Sequence, residues 1–256
     1  MRTPCLTTIL ALALSLAPRA VGAADFDHAL FDQVLAEHVN GKGLIDYNGV
    51  ARDPRFAGYI ETLKTADLAG MSRDERLAFW INAYNAITID KVIRWKPKKS
   101  VRETFIPGLW TSTKFYEKRE SVVAGRSVSP DDIENEILRK EFEDPRIHFA
   151  IICASSGCPP QPRFAYTGEN VQAKLEEETR SYLQSERGTR IKRDKNVLSI
   201  SSIFDWFGGD FVRKSGSVLD FIRPYVTDEV RAFLAQDPKI DHLDYNWALN
   251  AQAPLK

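Results

Sequence analysis

The run RDERLAFWINAYNAITIDKV, residues 73–92, leaves the chain the least freedom. Ser72 stands three residues before Glu75, the spacing of a capping box in which each side chain satisfies the other residue's backbone N–H. That spacing predicts a helix beginning directly after Ser72. Within FWINAYNAITI the helix is apolar on almost every face, and such a helix belongs in the interior. Asn82 and Asn85 stand three apart and share one stripe of it. Buried amides have to be hydrogen-bonded, so this pair either ties down a neighbouring loop as scaffold or contacts a substrate.

Other elements follow from local signals. FDHALFDQVLAEHV has a helical period, and GKGLIDYNGV then supplies glycine turns. Ser129 with Pro130 at the first helical position opens PDDIENEILRK. The short, isoleucine-rich RIHFAIIC, bounded by Asp144-Pro145 and by Ser155-Ser156-Gly157, reads as a buried strand. A helix is expected from about Gly168 to Leu183 and a second strand in NVLSISSIF. IFDWFGGDFVRK and SVLDFIRPYV mix aromatic anchors with turn residues, which suits helical turns packed on a sheet. The expected class is α/β or α+β, with a modest, mostly antiparallel sheet packed against helices.

The first 24 residues set the chemical environment. Arg2, an apolar stretch from Leu6 to Leu16 and small residues before Asp25 make a secretory signal pattern with cleavage near Ala24. The expected organisation is therefore a leader, 1–24, and a single domain, 25–256, exported to a periplasmic or extracellular space. No later stretch has the roughly 20 apolar residues of a transmembrane helix, so no stable membrane insertion is expected. Removing Arg2 and Arg19 leaves 33 basic against 35 acidic residues. A neutral balance argues against nucleic acid, whose phosphates call for a basic surface. The one basic patch, RWKPKKSVR, reads as a solvated face.

Export leaves two cysteines, Cys153 and Cys158, within CASSGC. An oxidising compartment favours pairing them, and a turn at Ala154, Ser155, Ser156 and Gly157 could bring them together. Closing so short a loop adds only about 2 kcal/mol through the unfolded chain, which gives a purely structural bridge little purpose. A nucleophilic thiol with a second cysteine nearby is the rival reading. Zinc is disfavoured, because the histidines and cysteines show no HxxxH or CxxC spacing. No metal or other cofactor is expected.

His148 is the natural base for a cysteine nucleophile. Five extended residues span about 16 Å, whereas base and nucleophile must meet at about 3 Å. Either the chain bends sharply at Cys153, or the turn at Ser155–Gly157 returns Cys158 to His148. Glu134 flanks the apolar stripe of Ile133, Ile137 and Leu138, so its charge wants a partner. That partner is His148, as an orienting acid, or Arg139 or Arg146 in an ion pair.

The segments FWINAYNAITI, SPDDIENEILR, DPRIHFAIICASSGCPP, SISSIFDWFGGDF and LDYNWALN, in that order, resemble the DUF547 family, over most of the chain that follows the leader. That family is similar to papain-like and transglutaminase-like cysteine enzymes. The resemblance implies a catalytic group of Glu134, His148 and Cys153, with Cys153 rather than Cys158 as nucleophile and an unusual bend beside it. It also implies amide or peptide hydrolysis or acyl transfer on a peptide or a small thiol peptide such as glutathione. In such an enzyme the N–H groups of the ASSG loop would hold an oxyanion. The competing expectation is a ligand-binding module without turnover, closed by a Cys153–Cys158 disulfide, with its pocket near Asn82 and Asn85.

Overall fold

A computed structural model of the chain describes residues 26–102 and 114–255. The signal pattern at residues 1–24 lies outside the described residues. The fold is mixed α/β, and it grows outward from the Arg73–Trp95 helix. Ser72 accepts from the Glu75 N–H while the Glu75 side chain accepts from the Ser72 N–H, completing the capping box read from the sequence. From Leu77 to Ile89 every residue of this helix is buried.

Around that axis the Ala29–His38 and Pro54–Lys64 helices pack through Phe31 and Tyr59, whose rings stack 4.8 Å apart. On another side lies Asp132–Phe142, a widened π-type helix. Its entry is capped by Ser129, whose Oγ accepts from the Asp132 N–H at 3.1 Å. The Val171–Leu183 helix closes the assembly. Together these elements form the larger of two apolar cores.

The second core is built on a three-stranded sheet in the order Thr189–Lys192, Val197–Ile200, Lys239–His242. Its first pair is antiparallel and its second parallel, so this sheet is mixed. A separate antiparallel hairpin joins Ser121–Val123 to Arg126–Val128. The helices Gly208–Ser215 and Val218–Ile222 supply Phe211 and Phe221, which pack with Phe149 and Phe204 into an aromatic cluster.

RIHFAIIC is not a strand. Pro145–Phe149 forms a 3-10 turn that begins on Asp144, whose carboxylate accepts from the Arg146 N–H. Pro145 sits at the first position of that turn, where its missing N–H costs nothing. This Asp-Pro start overrides the β preference of the isoleucines. The turn also divides its side chains: Ile147 enters the first core, Phe149 the second, and His148 is buried at the junction.

Asn82 and Asn85 serve as clamps. Asn82 donates to the Tyr166 carbonyl at 2.7 Å and accepts from the Tyr166 N–H at 3.0 Å. Asn85 donates to the Ala150 carbonyl at 3.0 Å and accepts from the Ile152 N–H at 2.9 Å. Each amide replaces the partner that an irregular segment lacks inside the protein. Asn85→Ala should therefore lower stability by about 2–4 kcal/mol, since it strands two buried backbone groups. Urea unfolding measures this; a loss below about 1 kcal/mol would contradict the clamp.

Candidate active site

Cys153 and Cys158 are joined by a disulfide with their Cα atoms 6.2 Å apart. The bend between them comes from Ala154, which adopts the left-handed region at φ 56°. A side chain there is strained by roughly 1–2 kcal/mol, and the surrounding contacts hold it in place. The C-terminal segment runs alongside. Ser156 N–H donates to the Ala248 carbonyl at 2.7 Å and Gly157 N–H to the Asn246 carbonyl at 2.8 Å. Gly157 must be glycine, because a Cβ would meet the Asn246 nitrogen at 2.9 Å and the Tyr245 ring at 3.0 Å. Cys158 N–H donates to the Ser155 carbonyl. The N–H groups of Ser156, Gly157 and Cys158 are thus already engaged, which removes them from the expected oxyanion site.

The bridged sulfur of Cys153 has no proton, so a hydroxyl that bonds to it must donate. Tyr245 Oη lies 2.9 Å from that sulfur and Ser155 Oγ 3.0 Å from it. Ser155 also donates to Tyr245 at 3.0 Å, an arrangement that directs the phenol proton toward the sulfur. Burial pushes the Tyr245 hydroxyl pKa well up, so it remains a donor. Tyr116 donates to the Cys153 carbonyl at 2.7 Å.

His148 is held by an acid that the sequence reading did not pick out. Its Nε2 lies 2.9 Å from Asp210 Oδ2, on the Gly208–Ser215 helix. Arg139 donates to both oxygens of the same carboxylate, at 2.6 and 3.0 Å, and Arg213 pairs with it too. Burial alone would raise the Asp210 pKa, but hydrogen bonds from His148 and Arg139 outweigh it and hold the group well below the usual carboxylate range. An ionised carboxylate can only accept, so Nε2 carries the imidazole proton. Burial lowers the His148 pKa despite Asp210, which keeps the ring neutral. Phe207 stacks on it with centroids 4.1 Å apart. The second nitrogen, Nδ1, is left with a lone pair.

Glu134 faces that lone pair, its Oε1 3.7 Å from Nδ1. Tyr84 Oη approaches its other oxygen at 3.4 Å. Burial pushes the Glu134 carboxyl up to about 7, against the pull of Arg139. Neither arginine considered from the sequence pairs with Glu134: Arg139 is committed to Asp210, and Arg146 to Asp144 at 2.6 Å and to Gln172.

Glu134, His148, Cys153 and Cys158 line one cavity of about 330 Å³. Asn82, Asn85 and Arg146 are not part of its wall. Among the described residues, one further group could offer metal donors, Glu37, His38 and Asp53. The Arg55 guanidinium already pairs with both of those carboxylates.

The class so defined is a mixed α/β protein with a cavity that gathers a disulfide, a neutral imidazole and a carboxyl titrating near neutrality. Residues 68–183 match the family described as "Protein of unknown function, DUF547". The likeness to the DUF547 family rests on this segment, which contains Glu134, His148 and both cysteines. Comparisons with curated proteins and with solved structures gave no match. Asp210 and Tyr245 lie beyond the matched segment, so residues outside it complete the site.

Glu134 has a sign-definite effect on stability. The folded protein binds its proton more tightly than the unfolded chain, so its contribution is complete below the ordinary value of 4.5 and is lost as pH rises through about 7. Glu134→Gln stays neutral throughout. The variant should match the native protein near pH 5 and unfold at higher urea than it near pH 8; a pH-independent difference would refute the raised pKa.

Proposed function

We propose that the cavity is the active site of an exported, thiol-dependent enzyme that hydrolyses an amide or transfers its acyl group, with Cys153 as nucleophile. What supports this reading most is that Cys153, His148 and Glu134 share one cavity wall while Asp210 fixes the imidazole proton on Nε2. That is the logic of a catalytic triad with the orienting acid supplied by Asp210. It agrees with the resemblance to papain-like cysteine enzymes.

The bridged form is the resting state. A dithiol reductant would pass two electrons to the Cys153–Cys158 bond, giving two thiols and an oxidised reductant. Nδ1 of His148 then accepts the proton of Cys153, directly or through Glu134. The Tyr245 hydroxyl, turned toward the sulfur by the hydrogen bond from Ser155, stabilises the thiolate. The thiolate adds to the carbonyl carbon, the C–N bond breaks, and the leaving amine takes the proton from His148. Water or a second amine then cleaves the thioester. With the Ser156, Gly157 and Cys158 N–H groups engaged elsewhere, the Tyr84 hydroxyl, and that of Tyr245 once the thiolate is consumed, line the cavity as donors for the oxyanion.

A second reading is favoured by the bridge itself: a pocket that holds a ligand without turnover, with the disulfide as a permanent staple. Alkylation separates the two. After mild dithiol treatment, Cys153 should react with iodoacetamide with an apparent pKa below the ~8.5 of an ordinary thiol. His148→Ala should slow that reaction about tenfold or more near pH 7. A bridge that resists the reductant would favour the staple, and an unchanged rate in His148→Ala would remove the histidine from the chemistry.

A further inference from the structure

The cavity wall carries features that the thiol chemistry does not use. Trp206, Tyr245 and Trp247 form one aromatic face, with Trp206 and Trp247 stacked 5.5 Å apart and Tyr245 4.5 Å from Trp247. Trp206 is 44% exposed although the apolar groups around it are largely buried, so its indole is surface offered to something outside the fold. Opposite in character are Glu117 and Asp131, which line the same cavity. Asp131 accepts from Asn135 at 2.8 Å, and neither carboxylate forms an ion pair among the described residues. No lysine or arginine among the described residues lines the cavity.

Aromatic faces attract cations through their negative π-surface, and unpaired carboxylates in a concave, partly apolar site do the same at longer range. The Trp247 indole shows the first effect within this protein: Arg102 lies over its ring, 4.3 Å from the centroid. A volume of about 330 Å³ is at the small end of ligand pockets. It suits one or two amino-acid residues rather than a folded partner.

We infer that the cavity selects a cationic substrate, an amide or short peptide carrying a protonated primary amine, with the charge between the aromatic face and Glu117 and Asp131. This rests on the acyl-transfer reading for the word substrate alone; the binding preference stands without it. The selection runs against small anionic thiol peptides such as glutathione, whose two carboxylates would meet acidic side chains and no lysine or arginine among the described lining residues.

The test uses the oxidised protein, in which Cys153 cannot act as nucleophile, so binding is read apart from chemistry. The probes are Nα-acetyl-lysine N-methylamide, its norleucine counterpart, which lacks only the ammonium group, and its glutamate counterpart. Binding is followed by the fluorescence of Trp206 and Trp247. The lysine probe should bind about tenfold or more tightly than norleucine, and glutamate should bind weakest. Glu117→Gln combined with Asp131→Asn should bring the lysine-to-norleucine ratio toward one. Equal binding of lysine and norleucine, a preference for glutamate, no measurable lysine binding, or an unchanged ratio in the double variant would each overturn the inference. Loss of thiol reactivity in the alkylation experiment would leave it standing.

Discussion

The two hydrogen bonds between the Asn85 amide and the backbone on either side of Ile151 decide where the disulfide of this protein sits. Asn85 belongs to a helix that the core surrounds, and its donor and acceptor meet the Ala150 carbonyl and the Ile152 N–H. The segment it holds is irregular and buried, with no helical or sheet ladder to satisfy those groups. Cys153 follows directly. Without the clamp, the left-handed turn at Ala154 would have no fixed base, and the sulfur would not be held beneath Tyr245. Asn82 performs the same service for Tyr166.

The site forms where two cores meet. The 3-10 turn at Pro145–Phe149 sends alternate side chains into different apolar clusters and leaves His148 at the seam. Asp210 approaches from the sheet-bearing side and Glu134 from the helical side. Their environments push their proton affinities in opposite directions, one carboxyl held ionised by arginines and imidazole, the other raised by burial. The two carboxyls thus face the two nitrogens of one imidazole with their proton affinities pushed apart.

Features written in adjacent residues were legible in the sequence. Ser72 with Glu75 marked the start of the central helix, and Ser129 marked the entry to the Glu134 helix. The Val197–Ile200 strand and the Val171–Leu183 helix also lie within the expected segments. The 3-10 turn was misread because β-branched residues outnumbered the single Asp-Pro signal that governs it. The bend that brings Cys153 to the cavity was expected only through the family resemblance, since alanine is an unusual residue for a left-handed turn. Asp210 could not be found by local reading. It lies 62 residues from His148 and looks, in FGGDF, like an ordinary first-turn acid of a short helix. Tyr245 lies 92 residues from Cys153, and only the folded C-terminal segment gives its hydroxyl a role.

Asp210 fixes the His148 proton on Nε2 and leaves the Nδ1 lone pair facing Glu134 in the cavity. Nitrogen-15 NMR of histidine-labelled protein, with the resonance assigned by loss in a His148 variant, reads this directly. Near pH 7 the ring should be neutral, with a protonated Nε2 and an unprotonated Nδ1. A ring protonated on Nδ1, whether as the other tautomer or as imidazolium, would contradict it.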